Sequence, residues 1–210
     1  TVGTLSAEVG SGGLFVTEGD GVVVDTVAAV TVNRVKADGT VTGSTVTDGA
    51  LNDVTTSSNG SVVLVSTLGD IVLKDGSDGD AKVVDVNGSG AIRVDAVVGA
   101  VDIQSGVSTG TGHISVLAGT TLSQSTGASD ISTVGGTVDV KAGTGISMVD
   151  GALTSSGGGN VRYEAVAGDI TLGEIKAGAG KVGVIALAGS ILDLGGDTSV
   201  VDITASDLLL

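Results

Sequence analysis

The stretch Gly60-Ser61-Val62-Val63-Leu64-Val65-Ser66-Thr67-Leu68-Gly69-Asp70-Ile71-Val72-Leu73 decides how this chain folds. A glycine opens it, and apolar residues follow at the second and fourth positions. Nine residues on, a second glycine opens another apolar alternation. Alternation with period two sends one set of side chains inward and the other to solvent, and glycines mark the turns between. The same phrase returns as Gly159-Asn160-Val161-Arg162-Tyr163-Glu164-Ala165-Val166-Ala167-Gly168-Asp169-Ile170-Thr171-Leu172. Further openings are Gly90 (Ile92, Val94), Gly112 (Ile114, Val116), Gly136 (Val138, Val140) and Gly180 (Val182, Val184). From Gly90 onward the openings lie 22, 24, 23 and 21 residues apart, whereas Gly60 to Gly90 spans 30 and implies an inserted loop.

Each unit carries a second strand after Gly69, Gly99, Gly119, Gly143, Gly168 or Gly189. Several close on a third, such as Val83-Val84-Asp85-Val86 or Val200-Val201-Asp202-Ile203. Three short strands per unit of about 22 residues is the pattern of a solenoid coil. The expected fold is therefore all-β, a right-handed parallel β-helix of roughly eight to ten coils. Stacking would align Ile92, Ile114, Val138, Val161 and Val182 in one internal ladder. A single solenoid domain is expected over 1–210, with regular coils over 60–210 and irregular ones over 1–59. In the irregular part a short helix is expected over Thr4 to Val9, and a further coil around Val30 to Val35 and Gly39-Val41. The competing architecture is a pair of Ig-like sandwiches, which would normally bring a buried Trp or Tyr and less regular strand spacing.

Composition sets further bounds. The chain has 210 residues, 37 of them glycine, no proline, no cysteine, and Phe15 and Tyr163 as its aromatics. Its net charge of −15 argues against nucleic-acid partners and anionic lipid, because phosphate is bound by Lys and Arg. Two aromatics cannot make the girdles of an outer-membrane barrel, so membrane insertion is not expected. Thr1-Val2-Gly3 shows no signal segment, and the chain reads as one block excised from a longer protein.

The units 60–73 and 159–172, and similarly the run from Gly180 to Leu194, resemble filamentous-haemagglutinin-type β-helical repeats. The order of elements also resembles one long period of giant repetitive bacterial surface proteins. In those, a segment such as Gly-Gly-Leu-Phe-Val-Thr-Glu (12–18) opens a block and Ile-Thr-Ala-Ser-Asp-Leu-Leu-Leu (203–210) closes it. The resemblance implies export to the cell surface or the extracellular space. The function it implies is a non-enzymatic structural or adhesive module, acting as a stiff spacer or assembling end to end or laterally. Expected partners are neighbouring repeats, copies of the chain, cell-surface glycans or a host or partner-cell surface. The alternative is a carbohydrate-binding or carbohydrate-cleaving β-helix.

No catalytic residues and no organic cofactor are expected. His113, the single histidine, follows a turn glycine and reads as exposed or stacked. Asp95 and Glu164 share a position in their units, where Lys141 stands in the Gly136 unit and Asp139 lies two residues earlier. With Arg93 and Arg162 they read as surface ion pairs, each contributing little. The candidate metal residues are Asp75, Asp78 and Asp80, three carboxylates on a glycine-rich turn in the longest unit. Such oxygen donors suit calcium, although the terminal Glu of an EF-hand loop is missing. Glu18-Gly19-Asp20-Gly21 is a weaker turn of the same kind.

Overall fold

A computed structural model describes residues 2–194 and 201–210. Three parallel sheets of eight strands each run its length, and the chain visits them in strict rotation. One coil takes a strand from each sheet: coil 4, for example, is Val101–Ile103, Gly106–Thr109 and Ile114–Ala118. Eight coils result, so this is a parallel β-helix, and the antiparallel sandwich is set aside. Parallel crossovers adopt the right-handed sense almost without exception. Seven inter-strand spacings of about 4.8 Å make the stack roughly 34 Å tall.

The core is a set of vertical ladders. In the third sheet Leu14, Val62, Ile92, Ile114, Val138, Val161, Val182 and Leu208 lie in one register, which contains the ladder expected from the glycine spacing. The fifth position of the same strands narrows to Ser66, Ala96, Ala118, Ala142, Ala165 and Ala186, where the chain turns the corner. Tyr163 is fully buried. Its hydroxyl donates to Gln124 Oε1 at 2.7 Å and pairs with Thr154 Oγ1 at 2.6 Å, while Gln124 Nε2 donates to the Ser129 carbonyl at 2.6 Å. The buried polar groups of Tyr163, Gln124 and Thr154 thus have partners.

The corner glycines have a steric cause. A Cβ on Gly90 would lie 2.2 Å from the Gly60 carbonyl oxygen, and one on Gly112, Gly136 or Gly159 would lie 1.8 Å from the carbonyl oxygen of the glycine below. Nothing but hydrogen fits there. Those carbonyls are also claimed by hydroxyls at the end of the preceding strand. Thr56 Oγ1 donates to Gly60 O at 2.8 Å, Thr109 to Gly90 O at 2.7 Å and Thr133 to Gly112 O at 2.8 Å. Turn carboxylates and amides bind one coil upward. Asp70 accepts from the Ala100 N–H at 2.7 Å, Asp169 from Ser190 at 2.7 Å, Asp130 from Leu153 at 3.0 Å and Asn160 from Lys181 at 2.9 Å. The acidic composition therefore has a structural use at the turns, where backbone N–H groups lack a ladder partner.

The first 59 residues depart from expectation in two places. Thr4 to Val9 is not a helix: Thr4–Leu5 pairs with Val22–Val24, and Ala7–Val9 pairs with Val54–Thr56. Joining the sheets completes coil 1 and overrides the weak local helical tendency. No additional coil forms around Gly39 either. Val30–Asn33 and Thr45–Asp48 make an antiparallel hairpin outside the stack, with Val30 and Val32 each 55% exposed. Its Val-Thr alternation matches a strand, but pairing the two arms locally leaves it outside the internal ladders. Coil 2 passes from Val24 to Val54 around this excursion. The long interval before Gly90 is the loop between Ile71–Leu73 and Lys82–Val86, as its length implied.

The corner glycines give a direct test. Gly136→Ala should lower unfolding free energy by about 2–4 kcal/mol in a denaturant melt, because the Gly112 carbonyl below cannot move without losing its bond from Thr133 Oγ1. Gly183→Ala, with nothing within 4 Å of its Cβ, should be neutral or slightly stabilising.

Candidate functional site

Two successive turns between the first and second sheets stack at one corner. The lower is the hairpin excursion of coil 2, which returns through Asn52 and Asp53 into Val54–Thr56. The upper is the loop Lys74 to Ala81 of coil 3. Their superposition brings Asp53, Asp75, Asp78 and Asp80 together, with one carboxylate oxygen from each within 4.8 Å of the others. The three aspartates expected from the sequence do converge. Asp53 joins them without belonging to their sequence cluster, because it stands alone in the sequence and reaches the group only through coil stacking. The signal available for it was its place just before a strand, one coil below the Asp75-Gly76-Ser77-Asp78-Gly79-Asp80 turn.

Hydrogen bonds lock the two turns to each other. Asn52 Oδ1 accepts from Thr26 Oγ1 at 2.9 Å and Ser77 Oγ at 3.0 Å, and Ser77 N donates to Thr26 Oγ1 at 2.8 Å. Asp53 Oδ1 accepts from Gly76 N at 3.2 Å, and Asp75 Oδ2 from Ala81 N at 3.3 Å. Ala81 has φ of 60°, a left-handed conformation that a non-glycine residue adopts at a cost. Asp75 Oδ1 is buried with no hydrogen-bond donor in reach.

Asp53 is 7% exposed. Burial pushes its carboxyl up to about 6, against the Gly76 N–H bond that lowers it, and the charges of Asp78, Asp80 and Asp75 add to the rise. An open hollow of about 170 Å³ lies alongside, bounded by Glu8, Leu51, Asn52, Asp53 and Asp78. Four carboxylates on adjoining turns offer only oxygen donors, the kind a hard cation such as calcium takes. A bound cation would supply charge neutralisation here, and the side chains that could hold it are Asp53, Asp75, Asp78 and Asp80.

None of the family models, curated proteins or solved structures compared with this chain matches it.

The other acidic candidates have different settings. The Glu18 carboxylate is taken by the N–H groups of Gly19 and Val2, each at 2.8 Å, and these bonds hold it below its ordinary range. It forms no cation-sized group with Asp20 among the described residues. His113 is exposed, and its Nδ1 accepts from Thr137 N at 3.0 Å on the next coil. The charges on the outer surface of the third sheet form an ion-paired network. Arg93 meets Asp95 at 2.5 Å, Arg162 meets Asp139 at 3.1 Å and also Glu164, and Lys141 meets Glu164 at 2.9 Å.

The pH dependence follows from Asp53. Its folded-state value lies above that of an unfolded aspartate, so the proton it holds stabilises the fold fully below about pH 4. That contribution is lost as pH rises through about 6. Without divalent cations, the melting temperature of the native chain relative to Asp53→Asn should therefore fall across this window. Calcium at pH 7 should raise the native melting temperature by a few degrees and leave that of Asp53→Asn/Asp78→Asn unchanged. A native melting temperature indifferent to calcium and to chelation would remove the cation reading.

Proposed function

We propose that the chain is a non-enzymatic structural module of a bacterial surface or extracellular protein, a stiff rod that spaces or tiles other parts. One observation carries this reading. Three eight-stranded sheets run through the described coils without a break, and each rung is fixed to the next by ladders, glycine contacts and turn carboxylates. Backbone hydrogen bonds lie along the long axis, so bending the rod must stretch a whole sheet at once. The large departure among the described residues, the hairpin, leaves the ladders on either side in register. Likeness of the glycine units to filamentous-haemagglutinin-type repeats supports the surface setting. The four-aspartate corner is where such a module would take up calcium outside the cell.

A second reading has one specific feature in its favour. A groove of about 490 Å³ crosses the outer surface of the second sheet and is bounded by Thr55, Lys82, Asp85, Ser108 and Ser132. Asp85 accepts from Ser108 Oγ at 2.6 Å and pairs with Lys82 at 2.6 Å. A hydroxyl-rich groove with one ion pair suits a glycan, although its lining contains no aromatic ring for a sugar to stack on.

Two measurements separate the readings. Antibodies against this chain should label intact cells of the source bacterium, and labelling only after lysis would overturn the surface assignment. On a glycan panel the purified chain should neither bind nor release products. Saturable binding lost in Asp85→Ala/Ser108→Ala would replace the spacer with the glycan-binding reading.

A further inference from the structure

We propose that two copies of this chain pair side by side, in parallel, through the outer face of the third sheet. This deepens the lateral-assembly part of the spacer reading and rests on it, naming the partner and the face. The chain carries a net charge of −15. Copies approaching at random repel one another. The outer face of the third sheet escapes that repulsion, because its many charges balance and can be matched between copies. It presents Arg93, Lys141, Arg162 and Lys181 against Asp95, Asp139, Glu164 and Asp207, four charges of each sign, all joined in ion pairs. Its remaining outward positions are largely apolar, including Phe15 at 68% exposure, Val63, Val65, Leu117, Ile185 and Leu209.

The order of these residues selects the geometry. Each full strand of the sheet offers two outward positions, its second and its fourth. A two-fold axis parallel to the rod sets the second position of a strand opposite the fourth of the same strand in the other copy. Arg93 then faces the second copy's Asp95, Asp139 faces its Lys141, and Arg162 faces its Glu164. Each charged rung carries one charge of each sign at these two positions, so opposites meet at all three. The apolar rung Val63-Val65 meets itself. Gly183 faces the second copy's Ile185, and over Gly183 lies a hollow of about 260 Å³ bounded by Arg162, Val182, Ile185 and Leu209. A Cβ at Gly183 would touch nothing within 4 Å, so the hollow is a socket waiting for a branched side chain.

Antiparallel pairing does less well. Centred between coils 4 and 5 it opposes Arg93 to Arg162 and Asp95 to Glu164. Centred between coils 5 and 6 it matches Asp139 with Arg162 but sets Arg93 against Leu209. Only the parallel arrangement matches charged rungs with charged rungs of opposite sign throughout. Because each charge already has a partner within its own copy, burial strands none of them. Eight strands of about five residues present roughly 600 Å² per copy, so the total is near 1,200 Å², the lower bound for a specific interface. A reversible dimer is expected.

Sedimentation of the full chain over a concentration series should show a monomer–dimer equilibrium. Val65→Lys, an outward position, should weaken it at least about tenfold by setting an ammonium group opposite Val63. Its melting temperature should stay near that of the native chain. The chain has no cysteine, so single thiols can be placed cleanly. An equimolar mixture of Ser115→Cys and Leu117→Cys should be linked by a short bis-maleimide more efficiently than either variant alone. A monomer at every concentration up to about millimolar would overturn the proposal. A dimer indifferent to Val65→Lys, or one linked best between identical sites, would overturn it equally. None of these results would touch the spacer reading, which the labelling and glycan measurements decide.

Discussion

The fold depends on one close approach, the contact between a corner glycine and the carbonyl oxygen of the glycine one coil below. At Gly112, Gly136 and Gly159 that oxygen occupies the space a Cβ would need. The approach lets strands of the second and third sheets meet at a tight corner, and the corner places apolar ladders inside the coil. Threonine hydroxyls then satisfy two of these oxygens, those of Gly90 and Gly112, so a polar atom in a crowded, buried place still has a donor. Glycine spacing, threonine placement and ladder register are three aspects of one packing solution.

Charge is distributed by the same logic. Carboxylates stand at turns because the ladder leaves N–H groups there without a partner, and Asp70, Asp130 and Asp169 each bind the coil above. Where two long turns fall on successive coils, carboxylates accumulate faster than donors, and the Asp53 group is the result. On the third sheet the charges are balanced within the face. An acidic chain thus keeps a charge-rich face without net charge.

The regular part of this architecture was legible because a coil repeats its chemistry at a short interval. Gly90, Ile92 and Val94 predict Gly112, Ile114 and Val116, and the structure stacks them residue for residue. The excursion between Val24 and Val54 was not legible, because Val30–Asn33 has the same alternation whether it joins a coil or folds back on Thr45–Asp48. Thr4 to Val9 suggests a helix in sequence because its strands are two and three residues long, too short to show a period. For the candidate site, Asp75, Asp78 and Asp80 announced themselves as a local cluster. Asp53 did not, since only the three-dimensional stack places it 22 residues back along the chain and directly beneath them.

The hairpin has an implication for how such a protein diversifies. The main chain leaves the stack after Val24 and rejoins it at Val54, and the strands above and below remain paired as though nothing had intervened. Loop-closure entropy grows only slowly with length. This corner therefore tolerates foreign sequence of almost any size, provided its ends return to the same rung. Sequence change can rewrite the insert while the coils beneath it stay constant, and an engineer could graft a peptide there for the same reason.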